Sequence, residues 1–325
     1  MPRRESPTIA RNCVMTIDSF YGMPGALPFH PNLPQAFPRS SARRRRTTMR
    51  MSPGIARLLR LFGVLAAAAP VGSDAGSTAT AASGADTQAV VELRQYTLHT
   101  GQRDALIELF ESEFIEAQEA CGMRVLAQFR DLDDPDRFVW LRAFGDMTSR
   151  RAALESFYGG EVWQAHRAAA NATMIDSDNV LLLRPLDAAS RFNLAGRTRA
   201  GRGPSADDTA ADDAGLIVAT IYPLRKPASA ALSARLRQHL EPHWNSAGAR
   251  PLASFVTESA ENTFPRLPVR RGETVLVTFV AFADETAHRR FVASVASDAD
   301  AALQPYLARA PETLRLRPTR RSLLR

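Results

Sequence analysis

The sequence contains few of the residues that characterise disulfide-rich, redox-active or lysine-rich proteins. Two of its 325 residues are cysteines, Cys13 and Cys121, and they form neither a CxxC motif nor a disulfide framework. Cys121 lies at the end of an amphipathic helical pattern, which favours a packed thiol over a reactive one. Lysine occurs once, at Lys226, so arginine carries nearly all of the positive charge.

The excess of positive charge does not indicate a nucleic-acid-binding surface. The net charge is +7, but residues 1–85 contain eleven arginines and three acids, a net of +8, so the remaining 240 residues sum to −1. Affinity for a phosphate backbone requires basic residues clustered on a folded face. The body of the chain has no such cluster, and we expect no nucleic-acid partner.

Long apolar runs are also missing, and Leu61–Ala69 is too short to span a bilayer, so no transmembrane span is predicted. Residues 1–86 form a predicted disordered, Arg- and Pro-rich tail. Its segment 50–81 has the basic, apolar and small-residue order of a signal peptide. Export to the periplasm follows if translation starts at Met49 or Met51. An Ala-rich linker and an organellar transit segment are the alternatives, with a cytoplasmic or organellar location.

The body of the chain contains two similar passages. Matching residues recur 126 positions apart, as in Tyr96 and Tyr222, and later 138 positions apart, as in Phe144 and Phe282. A constant spacing across non-adjacent residues indicates an internal repeat. Because the spacing changes at one turn, the second copy is predicted to have a longer hairpin connection.

Each passage predicts the order β-α-β-β-α-β, which is that of a ferredoxin-like unit. In the first passage, alternation places a strand at Val90–Leu98 and helical spacing follows it. Such a sheet has helices on one face only, so its other face needs cover. We therefore predict an α+β protein in which units 87–186 and 215–320, joined by a linker at 187–214, pack sheet to sheet as a pseudo-dimeric α/β barrel. Further self-association stays open.

The string "VVELRQYTLHTGQ", followed by "FVWLRAF", "W…HR" and "DSDNVLLLRP", resembles the NIPSNAP family. The resemblance covers residues 90–186 well and residues 215–318 weakly. It implies a dimeric α/β-barrel fold related to small antibiotic-monooxygenase-like proteins. It implies little about function, because the family has no agreed biochemical activity.

Polar side chains alternate along two predicted strands of the first passage. Glu92, Arg94 and Tyr96 share one face, and Trp140 and Arg142 alternate on the hairpin strand. We expect these side chains to point into the barrel, where the two arginines could clamp an anionic ligand. Glu92 and Tyr96 could transfer protons. A buried ion-pair network, required because buried charges must be paired, is the structural alternative.

The second passage has the predicted shape but lacks these charges. The positions of the three charged residues are occupied there by Val218, Thr220 and Val280. Because hydrophobic replacement of a buried ion pair is often neutral or stabilising, the charges are not needed to hold such a unit together. The pattern favours one functional half and one scaffold half.

The remaining candidates lie in the last helix and the final connection of the first passage. His166 is a third candidate for proton transfer, and Arg167 is a candidate ligand contact. Asp176 and Asp178 could also contact a ligand, although turn chemistry explains short acidic side chains at this place. His166 has no second histidine at HxH or HxxxH spacing, so we predict neither a metal nor another cofactor.

The leading prediction is a NIPSNAP-family protein that binds a small molecule within its first barrel half. One alternative is a monooxygenase- or isomerase-like enzyme with little reliance on a cofactor. Another is a structural or protein-interaction module. A cavity lined by the charged residues would favour the first two hypotheses, and a barrel filled by Trp140, Phe144 and Phe282 would favour the third.

Overall fold

The computed structural model describes residues 88–203, 215–295 and 302–325. The predicted tail and its signal-like segment lie outside these ranges. Among the described residues, no helix combines the length and the apolar character that crossing a membrane requires.

Eight antiparallel strands close into one barrel, in the order β1-β3-β2-β8-β5-β7-β6-β4. The strands are β1 (Val90–Leu98), β2 (Arg124–Asp131), β3 (Arg137–Phe144), β4 (Met174–Pro185), β5 (Leu216–Pro223), β6 (Arg250–Thr257), β7 (Val275–Phe282) and β8 (Glu312–Pro318). We call β1–β4 with their helices the first half-barrel and β5–β8 with theirs the second. The halves join where β2 pairs with β8 and β4 with β6, so the closed sheet has no free edge.

Helices cover the outside of both half-barrels. They are α1 (Arg103–Leu109), α2 (Ile115–Ala120), α3 (Met147–Gly159), α4 (Glu161–Thr173), α5 (Ala230–Arg235), α6 (Glu241–Ser246) and α7 (Glu285–Val295). A capping box starts α3: Ser149 N donates to the Asp146 carboxylate at 2.6 Å, and Asp146 N donates to Ser149 Oγ at 2.9 Å.

The two half-barrels have corresponding elements. Five-residue π-helical segments, Phe110–Phe114 and Leu236–Leu240, join the paired helices of each half at the same spacing as Tyr96 and Tyr222. The extra residues of the second half lie between β6 and β7, at residues 258–274, which we call the long loop.

The barrel interior is filled by apolar side chains from all eight strands. Phe129, Phe255 and Phe279 are fully buried there. Phe192, from the segment after β4, and Leu324, near the C-terminus, also belong to this core. Apolar side chains of the described residues therefore make up the core inside the barrel.

A second apolar layer lies between the barrel wall and the helices. Trp140 and Phe144 pack in this layer in the first half-barrel, and Phe282 does so in the second. These three rings therefore do not fill the barrel, which is the arrangement that would have favoured a structural or protein-interaction module. Successive side chains alternate across a strand, and the residues of β3 that point inward are Val139, Leu141 and Ala143.

Candidate functional site

Four charged residues of the first half-barrel are buried together. Glu92 and Arg94 come from β1, Arg142 from β3 and Arg150 from α3, and no side chain is more than 1% exposed. The β1–β3 register places Glu92 directly opposite Arg142, so their side chains emerge on the same face of the sheet. We call these four residues the arginine cluster.

The arginine cluster lies outside the barrel wall, beneath the helices, so the expectation that these side chains point into the barrel is wrong. Val91 and Leu93 of β1 face the interior, and Glu92 and Arg94 alternate with them. Alternation separates the two faces of a strand but does not say which face the helices will cover. Both faces of β1 are buried, so burial does not distinguish the face inside the barrel from the face beneath the helices either.

Glu92 is the common acceptor of the cluster. Its Oε2 accepts from Arg94 Nη1 at 2.7 Å and from Arg142 Nε at 2.8 Å, and its Oε1 accepts from Arg150 Nε at 2.7 Å. Arg150 Nη2 also lies 2.7 Å from Oε1, but without hydrogen-bonding geometry. Tyr96 joins at the edge, where its hydroxyl accepts from Arg94 Nε at 3.0 Å.

The cluster carries more positive than negative charge. One carboxylate faces three guanidiniums, which stay protonated in proteins, so the buried set has a net charge of +2. Burial alone would raise the pKa of Glu92, but the fields of Arg142, Arg94 and Arg150 outweigh it and hold that pKa well below its usual range. Burial lowers the pKa of Arg150, and attraction to Glu92 offsets this only in part.

Arg142 has a donor without a partner. Its Nη1 donates to Gln118 Oε1 of α2 at 3.0 Å, but its Nη2 is buried and has no hydrogen-bond acceptor among the described residues. Aromatic rings surround the guanidinium: Cζ lies 5.1 Å from the Trp140 ring and 5.9 Å from the Tyr158 ring. Such cation–π contacts stabilise the charge without supplying a hydrogen-bond acceptor.

The long loop of the second half-barrel covers the cluster. Arg150 Nη1 donates to Asn262 Oδ1 at 2.9 Å. Phe264 and Leu267 are buried in the helix-side core of the first half-barrel, and the Phe264 ring stacks on Tyr158 at 5.9 Å with an interplanar angle of 20°. The site therefore combines residues from both halves of the barrel.

A pocket of about 700 Å³ opens between α3 and the long loop. Tyr158, Asn262 and Phe264 are among its lining residues. Tyr158 also lies within cation–π distance of Arg142, and Asn262 accepts a hydrogen bond from Arg150, so these two side chains border both the pocket and the arginine cluster.

Residues 91–190 match the family model described as NIPSNAP. The first half-barrel is a NIPSNAP domain. A search among curated proteins gave no match.

Among solved structures, a NIPSNAP domain protein from Burkholderia xenovorans is 17% identical, with 36% of this chain and 99% of that one covered and a TM-score of 0.28. A nipsnap family protein from Agrobacterium tumefaciens is 19% identical, with coverages of 30% and 89% and a TM-score of 0.29. An anthrone oxidase-like protein is 12% identical, with coverages of 72% and 93% and a TM-score of 0.45.

Two further candidate residues of the NIPSNAP domain, His166 and Arg167, lie on α4. His166 Nε2 is 3.7 Å from a carboxylate oxygen of Glu113, and both side chains are more than a third exposed. Arg167 follows it and is half-buried. In the described part of the chain, no group of three or more His, Cys, Asp or Glu side chains is placed to hold a metal ion.

Asp176 and Asp178 lie inside a strand, not in the predicted connection. β4 begins at Met174, and its register against β1 shifts beside these acids. Asp176 Oδ1 accepts from Asp178 N at 2.8 Å, so Asp176 performs the turn-type bonding expected of it. Burial and the neighbouring Asp176 raise the pKa of Asp178, while Arg94 lowers it. Asp178 thus lies within electrostatic reach of the arginine cluster.

Three residues whose polar side chains hydrogen-bond within the site were not among the sequence candidates: Gln118, Arg150 and Asn262. Arg150 had a readable signal, because it shares one helical face with the apolar residues Ala153, Leu154 and Phe157. Asn262 had none, since it belongs to a loop of the other half-barrel.

Proposed function

We propose that this protein binds a small anionic molecule through its acid group at the arginine cluster of the NIPSNAP domain. The observation that carries the proposal is the net charge of +2 on four fully buried side chains. Uncompensated buried charge costs several kcal/mol. An incoming carboxylate or phosphate would neutralise part of it and supply the acceptor that Arg142 Nη2 lacks.

Comparison with the second half-barrel argues against a purely structural role for the arginine cluster. There Val218 pairs with Val280 across β5 and β7, as Glu92 pairs with Arg142 across β1 and β3. Both valines are buried beneath the helices of that half. The same architecture thus forms with an apolar pair, which supports a role for the charges beyond holding the sheet and helices together.

The geometry favours binding over proton transfer by Glu92. Its carboxylate accepts three arginine hydrogen bonds, and its depressed pKa makes it a weak base. In the proposed function, Glu92 holds the three guanidiniums in place and Arg142 directs its unpartnered N–H to the ligand.

The test is calorimetric titration of the full chain with sodium acetate, sodium benzoate and inorganic phosphate at constant ionic strength. We expect at least one anion to bind, and Arg142→Gln to weaken it about ten-fold or more, because a hydrogen bond to a charged group contributes about 1.5–3 kcal/mol. Arg290→Gln, the same change at an exposed residue of α7, should bind like the wild type. Equal affinities of Arg142→Gln and wild type, or no binding of any of the three anions, would refute the proposal.

A further inference from the structure

Asn262 places a neutral side chain where the positively charged arginine cluster would favour a negatively charged one. Its Oδ1 accepts from Arg150 Nη1 at 2.9 Å and from Phe264 N at 3.1 Å, and its Nδ2 donates to Leu267 O at 2.8 Å. The side chain is 5% exposed. The amide therefore organises the long loop and also serves as an acceptor for one guanidinium.

An amide oxygen is a weaker partner for a guanidinium than an anionic oxygen. Charge-assisted hydrogen bonds are roughly twice as strong as neutral ones, and in a buried site the Coulomb attraction between full charges is large. Because Glu92 leaves two positive charges of the cluster uncompensated, a carboxylate at the position of Asn262 Oδ1 would interact more favourably with Arg150 than the amide does.

The Asn262 side chain also lies on the path between the cluster and solvent. It lines the pocket of about 700 Å³ and at the same time contacts Arg150. Asn262 therefore belongs both to the wall of the pocket and to the hydrogen-bond partners of Arg150. The pocket therefore offers a route by which an anion could reach the guanidiniums and replace the amide.

The pocket wall indicates what the rest of the ligand looks like. Tyr158 and Phe264 both line the pocket, and their rings are nearly parallel. These rings stack on each other, and a further aromatic ring packs well against such a pair edge to face. A ligand whose acid group replaces the amide would place its body against these two rings.

We propose, on the basis of the proposed function, that the Asn262 side chain occupies the anion site when no ligand is bound and that an aromatic carboxylate displaces it. We call this role of Asn262 the placeholder. The carboxylate takes the position of Oδ1 on Arg150, and its ring packs on Tyr158 and Phe264. The second half-barrel thereby supplies, through its long loop, the residue that occupies the anion site when no ligand is bound.

The test uses Asn262→Asp, which has nearly the same shape and puts a permanent carboxylate in the anion position. In titrations of the full chain with sodium benzoate, we expect this variant to bind at least ten-fold more weakly than the wild type, because its own carboxylate already interacts with Arg150. Asn262→Ala removes the competing amide and should bind benzoate at least as tightly as the wild type. Asn245→Asp, the same change at an exposed residue of α6, should bind benzoate like the wild type.

The outcomes separate this inference from the proposed function. If Asn262→Asp binds benzoate with the wild-type Kd while Arg142→Gln does not, the anion site stands and the placeholder is refuted. If acetate binds as tightly as benzoate, or Phe264→Leu leaves benzoate affinity unchanged, the aromatic part of the inference is refuted. If neither the wild type nor Asn262→Ala binds benzoate, acetate or phosphate, the proposed function itself falls.

Discussion

Replacing Glu92 with glutamine removes the only carboxylate of the arginine cluster while keeping its shape. Three guanidiniums would then share a buried site without a negative charge. Deleting one partner of a buried ion pair costs about 3–5 kcal/mol. The glutamine oxygen can still accept from some of the arginines that Glu92 now binds at 2.7 and 2.8 Å, so we expect a loss of about 4 kcal/mol in the free energy of unfolding.

Urea titration followed by tryptophan fluorescence measures this loss. With a denaturant slope of about 2 kcal/mol per molar, a loss of about 4 kcal/mol lowers the urea midpoint by about 2 M. Glu155→Gln is the matched control, because Glu155 is 53% exposed and pairs with Arg151 on the surface. Exposed ion pairs contribute about 1 kcal/mol or less, so its midpoint should move by at most about 0.5 M. A Glu92→Gln midpoint equal to that of the control would refute the reasoning from buried charge.

Three further predictions concern acid stability, the C-terminus and a helix end. The folded-state pKa of Glu92 lies below its ordinary value of 4.5, so the stability that ionised Glu92 contributes is complete above pH 4.5 and is lost as the pH falls. Urea midpoints between about pH 5 and pH 3 should therefore drop more steeply for the wild type than for Glu92→Gln. Equal slopes of the two proteins would contradict this prediction. Leu324 is 2% exposed in the barrel core, so Leu324→Ala should cost about 2–5 kcal/mol in urea unfolding, and a cost below about 1 kcal/mol would mean that the C-terminus does not help to fill the barrel. Gly122 has a φ of 91°, so Gly122→Ala should destabilise by about 1 kcal/mol in the same assay, and an unchanged midpoint would show that the helix end tolerates a side chain.

The regular parts of the first half-barrel were predictable from local patterns. Alternation placed a strand at Val90–Leu98, which is where β1 lies. The prediction failed at β4, which starts at Met174 and so includes Asp176 and Asp178, where a connection was expected. The short polar residues before Val180 have turn chemistry, but pairing with β1 overrides their local preference, and a shift in register accommodates them.

The composition of the candidate site was predictable only in part. Glu92, Arg94 and Arg142 were candidates because of strand alternation, and their side chains lie together, but on the helix side of the sheet and not inside the barrel. Arg150 was readable as an arginine on an apolar helix face, whereas Asn262 meets it from a position 112 residues away. No local pattern encodes a contact of that separation, because it depends on how the long loop folds back over the other half-barrel.

The sequence by itself determined the order of the strands and helices, the residues that share a face of β1, and the resemblance to NIPSNAP domains. These features follow from backbone geometry within a few residues, where side-chain period and chain direction are fixed. Only the tertiary structure decided which face of β1 points inward. Closure of the two half-barrels filled the interior with apolar side chains and left Glu92 and the arginines beneath the helices, where α3 and the long loop complete the cluster.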